Sequence, residues 1–347
     1  MLDRLEAMPL IDHHCHGVLP RDLERAEFER YLTEAATVTP LGGSMFDTQA
    51  GFALRRWCAP VLDLEPHAAP DDYLARRTEL GAAEVNRRFL AAAGLAALCV
   101  DTGYIPEPLL EPAELGRLAD APAYEIVRLE QAARTAVGAK SIAAYRAGLE
   151  LAGERPGEAE ITAAAGRLLR ADGPPRVCDE VLHRFLIWCA ADLGLPVQFH
   201  VGYGDADTDL RRGDPLLLTG LLRALAPTGT PVLLLHNYPF HRNAGYLAQV
   251  FPNVFVDAGL ATHNLGQRAP ALIAELLELA PFGKVLYSSD AFGLAEFFHL
   301  GALLFRRGLA RLLAEGVAEG AWAERDAVRV AGMITAGNAR RIYRLRS

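Results

Sequence analysis

Several classes of protein are excluded by what this 347-residue chain lacks. No apolar run approaches the ~18–20 residues that a membrane-spanning helix needs. The five cysteines are scattered and include no CxxC pair, so a disulfide-stapled secreted scaffold is not expected. Basic residues are outnumbered, 35 Lys and Arg against 43 Asp and Glu. The resulting net charge of −8 argues against nucleic acid or an anionic membrane as the main partner.

Three motifs that mark other kinds of site are also missing. Neither GxGxxG nor GxxxxGK[ST] follows any predicted strand, which removes the common nucleotide-binding loops. No GxSxG turn supports serine catalysis. The first residues, MLDRLEAMPLID, contain no basic region followed by an apolar one, so we expect no secretory signal peptide. A cytoplasmic protein with reduced thiols is the expectation from these observations.

The chain is rich in short apolar runs that lack polar alternation, which is typical of strands buried on both faces of a parallel sheet. With 51% apolar residues it can form a full core. Eight candidate strands are centred near residues 10, 97, 127, 142, 198, 234, 255 and 287. They are separated by helical stretches, and the later ones recur near the ~30 residues of a β/α unit. The prediction is an α/β fold, a single (β/α)8 TIM barrel over residues 1–347.

An insertion is predicted between strands one and two, which lie about 75 residues apart. This region shows helical patterns near residues 22–36, 51–64 and 70–93. Structureless loops of that length are rare in compact domains, so a folded insertion is the better interpretation. We therefore predict a helical cap subdomain over residues 20–94.

Histidines and one aspartate stand where predicted strands end. His14 and His16 follow the first strand, His200 and His236 end the fifth and sixth, and Asp290 ends the eighth. The carboxyl ends of barrel strands converge on one face, and residues i and i+2 of a strand point the same way. Imidazole and carboxylate suit Zn²⁺, with Mn²⁺ or Fe²⁺ as alternatives. A single strand-end histidine usually only packs or hydrogen-bonds; five such residues in barrel order favour a metal site.

The segments that carry these residues read IDHHCH, FH, LLLHN and SSD, and together they resemble the amidohydrolase superfamily of metal-dependent (β/α)8 enzymes. The resemblance covers nearly the whole chain. Three stretches, KSIAAYRAGL, PVQFHVGYGD and VLYSSDAFG, are similar to the branch found beside, or fused to, glutamine synthetase-like proteins. That branch is itself similar to the decarboxylases and lactonases of the superfamily.

The resemblance implies His14, His16 and Asp290 as metal ligands, with His200 as a further ligand. His236 matches a histidine that ligates a second metal in binuclear members and acts on the substrate in mononuclear ones. Binuclear members often bridge their metals with a carboxylated lysine at the end of strand four. Lys140 lies at the start of the predicted fourth strand. One metal ion is therefore predicted rather than two.

This set of residues supports hydrolysis by an activated water. A divalent metal would lower the pKa of a bound water towards ~7. Asp290 can accept the water proton and return it to a leaving amine, while His236 polarises the substrate carbonyl. Asp101 and Asp257, at the ends of strands two and seven, can orient a ligand histidine.

Three functions remain open at this point. The first is a metal-dependent hydrolase that cleaves a C–N bond of a small carboxylated substrate, with a γ-glutamyl amide suggested by the resemblance. The second keeps the fold and the metal but acts as a non-oxidative decarboxylase or lactonase. The third is a non-catalytic metal-binding partner of a ligase, which is disfavoured because a scaffold has no use for strand-end ligands.

Four residues are candidates for binding the substrate. Arg55 and Arg56 in the cap and Arg146 after strand four can each hold a carboxylate bidentately. Tyr145 follows a predicted strand and can face the pocket. A single arginine is more often a solvated surface charge, so this set depends on where the fold places it. The expected partner is a small-molecule substrate, and assembly into a homo-oligomer is compatible with the barrel.

Overall fold

The structure, a computed structural model, describes residues 1–35, 43–129, 136–171, 173 and 176–346. Over these ranges, seven parallel strands form one sheet in the order of the chain. They are β1 (Leu10–Cys15), β2 (Leu95–Asp101), β3 (Ala123–Arg128), β4 (Gly138–Ser141), β5 (Val197–Val201), β6 (Val232–His236) and β7 (Val254–Val256). The predicted α/β class with a parallel sheet is confirmed.

The eighth strand was predicted over residues 284–290, and residues 285–290 connect the two edges of this curled sheet. The N–H of Leu286 donates to the carbonyl of Val256 at 3.0 Å. On its other side, the N–H of His13 donates to the carbonyl of Tyr287 at 3.1 Å. The segment forms one isolated bridge, between Val285 and Val256, rather than a regular ladder, yet it places its carboxyl end beside that of β1.

The fourth strand lies earlier than predicted. Residues 141–145 were expected to form it, but β4 ends at Ser141 and Ala143–Tyr145 form a 3-10 turn. Lys140 is therefore the third of the four residues of β4, and the prediction that it begins the strand is wrong. The cause is composition, because Gly138, Ala139 and Ser141 have low strand propensity and are held in the sheet by pairing with β3 and β5.

Within the described ranges, helices precede, connect and follow the strands, except that none is described between β3 and β4. The helices are α1 (Leu2–Glu6), α2 (Arg25–Arg30), α3 (Gln49–Trp57), α4 (Pro70–Leu80), α5 (Ala82–Ala93), α6 (Pro112–Ala119), α7 (Glu158–Arg170), α8 (Glu180–Asp192), α9 (Thr219–Leu225), α10 (His241–Val250), α11 (Gly259–Asn264), α12 (Ala269–Leu276), α13 (Glu296–Ala318), α14 (Glu324–Gly332) and α15 (Asn338–Tyr343). Among the described residues, no helix has the length and apolarity needed to cross a bilayer.

The described part of the region between β1 and β2 contains the helices α2 to α5, and their boundaries differ from the predicted ones. The stretch 70–93 contains two helices, because Gly81 adopts a φ of +75° that ends α4. The prediction for 22–36 corresponds to the shorter α2. Its last residue, 36, lies outside the described residues. The role of residues 20–94 as a cap subdomain stays a prediction.

The sheet separates two apolar clusters. The outer cluster fills the space between the strands and the surrounding helices. The inner cluster contains alternate strand residues and also the last helix, α15. Its buried members include Ile11, Ala97, Cys99, Ile126, Leu233, Leu235, Phe255, Leu286, Ala339, Ile342 and Tyr343. Because side chains alternate along a strand, residues two positions from these face the same interior.

Candidate metal centre and active site

Polar side chains form a layer at the carboxyl ends of the strands, on the same side of the sheet as the inner cluster. Along β2, Asp101 follows Ala97 and Cys99 at intervals of two, and along β3, Arg128 follows Ile126. We call this set the polar layer. Its members are His14, His16, Asp101, Arg128, Lys140, His200, His236, Asp257 and Asp290. Carboxyl ends of strands are where active sites of such folds are built.

Three histidines converge on Asp290: the predicted ligands His14 and His16, and His236, which was predicted to act on the substrate. The Nε2 atoms of His14 and His16 lie 3.0 and 3.4 Å from the same oxygen, Oδ1. Nδ1 of His236 lies 3.6 Å from Oδ2. Within the described part of the chain, His14, His236 and Asp290 form one group whose ligand atoms lie within 4.8 Å of one another, and His14, His16 and Asp101 form another.

His200 lies next to this group rather than inside it. Its ring centroid is 4.7 Å from that of His236. Its nitrogens face Tyr145, whose Oη lies 2.9 Å from Nε2, and the carbonyl of Tyr203 at 3.1 Å. The structure therefore brings all five predicted strand-end residues together, with His200 joined to the group through the ring of His236.

The backbone at two of these residues adopts a rare conformation. His236 and Asp290 have φ values of +67° and +51°, a region that costs non-glycine residues about 1–2 kcal/mol. The N–H of His236 donates to Oδ1 of Asp257 at 2.7 Å, which holds the turn in place. The adjacent Asn237, also at positive φ, donates its side-chain amide to the carbonyls of Leu234 and Asp257. The turn aims the His236 ring at Asp290.

The protonation states suit metal binding. Burial lowers the pKa of His14 to about 4 and that of His200 to about 3, so both imidazoles are neutral at pH 7. Burial alone would raise the pKa of Asp290, but His236, His14 and His16 hold it well below its usual value. Neutral imidazole and ionised carboxylate are the forms that ligate a cation.

Lys140 belongs to the same cluster. Its Nζ lies 3.2 Å from Nε2 of His14, and the side chain is buried. Burial lowers the pKa of the amine to about 8, opposed by the charges of Asp290 and Asp101. Sequence reasoning set this residue aside because it misplaced β4 by three residues.

Of the predicted substrate-binding residues, Tyr145 and Arg146 lie at the edge of the polar layer. Tyr145 packs its ring 4.4 Å from that of His200. Arg146 donates to the carbonyl of Tyr145 at 3.1 Å and forms a 3.4 Å ion pair with Asp207.

Arg55 and Arg56 contact other parts of α3 and the segment that follows it. The guanidinium of Arg55 donates to the carbonyls of Ala68 and His67 at 2.7 and 2.9 Å. That of Arg56 lies 4.2 Å from the ring of Trp57. Neither contact involves the polar layer, and the role of these two arginines in substrate binding stays a prediction.

A chain of buried hydrogen bonds supports the site from below. His13 donates from Nε2 to Oδ2 of Asp257 at 2.7 Å, and its Nδ1 accepts from the hydroxyl of Tyr343 at 3.1 Å. Gln198 donates to the same hydroxyl oxygen at 2.7 Å. Asp257 was expected to orient a histidine, and its other oxygen holds the His236 N–H. Tyr343 was not predicted, because nothing in the sequence connects the last helix with the first strand.

A parallel α/β sheet whose strand ends carry histidine and carboxylate donors defines a metal-dependent enzyme. A family model described as "Amidohydrolase" matches residues 110–345, about two thirds of the chain. The chain belongs to the amidohydrolase family, and it is an enzyme of this type.

Solved structures and a curated relative agree with this assignment. A structure described as a metal-dependent hydrolase from Lactobacillus casei is 29% identical, covers 99% of this chain and 98% of its own, and has a TM-score of 0.85. Protein fluG of Emericella nidulans is 33% identical over 60% of this chain, which spans 26% of that protein. Glucuronate isomerase from Caulobacter crescentus shares the fold, with 14% identity, 100% and 93% coverage and a TM-score of 0.64. The family model and the Lactobacillus casei structure support a metal-dependent hydrolase, whereas the isomerase supports the fold alone.

Proposed function

We propose that the enzyme hydrolyses a C–N amide bond of a small carboxylated substrate, using one or two divalent cations of which Zn²⁺ is the first candidate. The observation that carries this proposal is the meeting of two imidazole nitrogens, from His14 and His16, at one oxygen of Asp290. His200 is assigned as the further ligand from the family resemblance and its place beside His236.

The residues present fit a divalent cation. One buried ring nitrogen, Nδ1 of His14, has no hydrogen-bond partner in the part of the chain that the structure describes. Nitrogen and carboxylate oxygen are donors that Zn²⁺ accepts, and Mn²⁺ and Fe²⁺ also accept them. When bound, such a cation polarises a carbonyl and lowers the pKa of water.

The chain itself supplies a base and a hydrogen-bond donor. Asp290, ionised and close to three histidines, accepts a proton from the attacking water and delivers it to the leaving amine. The N–H of Leu260 points at Nδ1 of His236 at 3.4 Å, so the ring proton resides on Nε2. The Nε2–H of His236 then donates to the substrate carbonyl oxygen as negative charge develops on that oxygen.

The position of Lys140 makes a site with two metal ions the alternative to a site with one. A charged ammonium 3.2 Å from a ring nitrogen of His14 opposes a cation bound there. Its lowered pKa makes the neutral amine accessible, and only the neutral amine can form the carbamate that the family resemblance associates with two metal ions. One ion with a neutral lysine and two ions with a carboxylated lysine are thus the alternatives.

Metal content by plasma mass spectrometry tests the central assignment. We expect about one or two ions per chain, lost in His14→Ala. One ion that persists in His236→Ala supports the mononuclear site, whereas two ions with one lost in His236→Ala support the binuclear site. Retention of the full metal content in His14→Ala would contradict the proposal.

Asp290→Asn tests the base. The carboxamide cannot accept the proton, so we expect kcat to fall by about 10²–10⁴-fold. Activity is compared only for variant protein that retains the metal content of the wild type. Residual activity above a few per cent would contradict the role of Asp290.

The product identifies the reaction. Release of a free amine from a γ-glutamyl amide is expected, as the resemblance to the glutamine synthetase-associated branch suggests. Release of CO₂ without an amine identifies the decarboxylase alternative, and opening of a lactone identifies the lactonase.

We propose further that residues 20–94 cover the site. Tyr31, from this region, packs its ring 5.7 Å from that of Phe292, and Phe292 lies 5.8 Å from the ring of His16. Since the region reaches within one aromatic ring of a candidate ligand, it is placed to exclude water. Tyr31→Ala is expected to raise KM, as measured by steady-state kinetics.

A further inference from the structure

We infer that Arg128, held by Asp101 and Gly103, is the receptor for a carboxylate of the substrate. The substrate therefore carries this carboxylate beside the scissile bond rather than at the outer rim of the site. The inference rests on the proposed function for the position of that bond. The proposed hydrolysis uses neither Asp101 nor Arg128 of the polar layer. The inference assigns a role to Arg128.

Asp101 connects Arg128 to His16, a candidate metal ligand, through hydrogen bonds. Arg128 is the last residue of β3, and its Nε donates to both oxygens of Asp101, at 3.3 and 3.2 Å. The carbonyl of Asp101 in turn accepts from Nδ1 of His16 at 3.3 Å. The guanidinium is thus connected through Asp101 to His16, on the side of the site that β2 and β3 form.

The donors that face away from Asp101 are free. Within the described ranges, the terminal nitrogens Nη1 and Nη2 of Arg128 make no hydrogen bond, whereas Nε is occupied by Asp101. The side chain is 14% exposed, while that of Asp101 is fully buried. A guanidinium presents its terminal nitrogens as a planar fork that matches a carboxylate bidentately. The exposed edge is therefore a preformed anion receptor.

The surroundings hold the arginine in this orientation. A Cβ on Gly103 would lie 2.3 and 2.4 Å from Cγ and Cδ of Arg128, so the glycine leaves the space that the side chain crosses. The N–H of Gly103 donates to Oδ1 of Asp101 at 2.8 Å. The ring of Tyr104 lies 5.3 Å from the guanidinium carbon. A receptor that is already ordered loses little side-chain entropy on binding.

The other candidate arginines are committed elsewhere. Arg55 donates to two main-chain carbonyls, and Arg146 is shared between Asp207 and the carbonyl of Tyr145. The competing interpretation is that Arg128 only neutralises Asp101. The two interpretations differ in one respect: a neutralising residue affects every ligand alike, whereas a receptor discriminates in favour of ligands that carry the second carboxylate.

Equilibrium binding tests this difference without turnover. The zinc-loaded protein is titrated calorimetrically with succinate, glutarate and adipate, each compared with the monocarboxylate of equal carbon number: butyrate, pentanoate and hexanoate. At least one diacid is expected to bind about 10- to 100-fold more tightly than its monoacid. In Arg128→Gln this preference is expected to fall to about twofold or less, while monoacid affinity stays unchanged.

Two further variants keep the test interpretable. Arg128→Lys retains the charge that balances Asp101 but loses the fork, so its preference is expected to drop by at least about fivefold; it replaces the glutamine variant if that one fails to fold. Arg155→Gln is the matched control, since Arg155 also pairs with an aspartate, Asp192, and stacks on an aromatic ring, Trp188, outside the polar layer. This control is expected to keep the full preference.

Either of two results overturns the inference. The first is a wild-type protein that binds no diacid better than its monoacid; the second is a preference that survives in both Arg128 variants. A protein that shows the preference but releases no amine from any amide retains the receptor and rejects the proposed reaction. Failure of the receptor and failure of the proposed function are therefore distinguishable.

Discussion

At Gly259, directly after the strand-end Asp257 and Ala258, the backbone passes close to three polar side chains. A Cβ there would lie 2.4 Å from Nδ1 of His236 and 2.9 Å from Oγ of Ser288, and the φ of +24° is unfavourable for other residues. Gly259→Ala is expected to displace the His236 ring. Because a displacement of about 1 Å costs on the order of 10²-fold in rate, we expect such a loss in kcat/KM.

The matched control for this variant is Gly245→Ala, in α10. A Cβ at that position meets only ordinary contacts, 3.4 Å or more from its neighbours, and alanine favours a helix. Activity should stay within about twofold of wild type, because this residue is remote from the site. Equal activity in the two variants would contradict the close approach at Gly259.

At the scale of single residues, the sequence was most informative where one chemistry recurs at equivalent positions. His14, His16, His200, His236 and Asp290 were predicted because each follows a buried run and each is a metal ligand by type. Arg128 also ends a strand, but a lone arginine has no chemical pattern to distinguish it from a surface charge. The role we infer for it depends on the space left by Gly103, which only the folded structure reveals.

Among the elements, α4 and α13 are joined by a buried ion pair. Nε of Arg77 lies 2.6 Å from Oε1 of Glu296, and the hydroxyl of Tyr73 donates to the same oxygen at 3.2 Å. Burial in this pair is nearly complete. Glu296→Gln leaves the guanidinium without its countercharge, so we expect a loss of about 3–5 kcal/mol in the free energy of unfolding, measured in urea.

A surface pair provides the comparison for that variant. Arg155 and Asp192 are each about half exposed, and Asp192→Asn is expected to cost at most about 1 kcal/mol. The double variant Arg77→Met with Glu296→Leu should recover much of the loss, since apolar side chains of similar volume carry no desolvation cost. A loss in Glu296→Gln as small as that in Asp192→Asn would contradict the burial of the pair.

Elements were predictable where burial and periodicity agreed. The strands near 198, 234 and 255 are continuous apolar runs, and all three were correctly placed. β4 was shifted because its small residues owe their strand conformation to two neighbouring strands rather than to their own propensity. The segment near 287 was found, yet its hydrogen bonds to both sheet edges are long-range contacts that no local pattern encodes.

For the whole molecule, acid sensitivity follows from buried histidines. His263 stacks on Phe297 at 4.4 Å, and burial lowers its pKa from 6.5 to about 4. Because the folded state disfavours the protonated ring, its contribution to stability is complete above pH 6.5 and is lost as the pH falls towards 4. Wild-type stability should therefore decrease over this range.

The variant His263→Phe isolates this contribution from that of the metal site. The free energy of unfolding of this variant is expected to be lower than that of the wild type. The difference should shrink by up to about 1.4 kcal/mol per pH unit between pH 6 and 4, because only the wild type has a ring at this position that takes up a proton when unfolding exposes it. Urea unfolding of both proteins at each pH, with the same metal content, measures the difference. A deficit independent of pH would show that His263 titrates normally.

The hydrogen bond between Tyr343 and His13 joins residues 330 positions apart. At about 5–20 residues per second, a ribosome makes α15 tens of seconds after β1. Once Asp290 has been synthesised, the nascent chain contains every candidate metal ligand, while the helix that fills the inner cluster and steadies His13 has not yet been made. Completion of the site therefore waits for the synthesis of α15, and until then the growing chain carries an open, partly apolar interior that the cell must keep from aggregating.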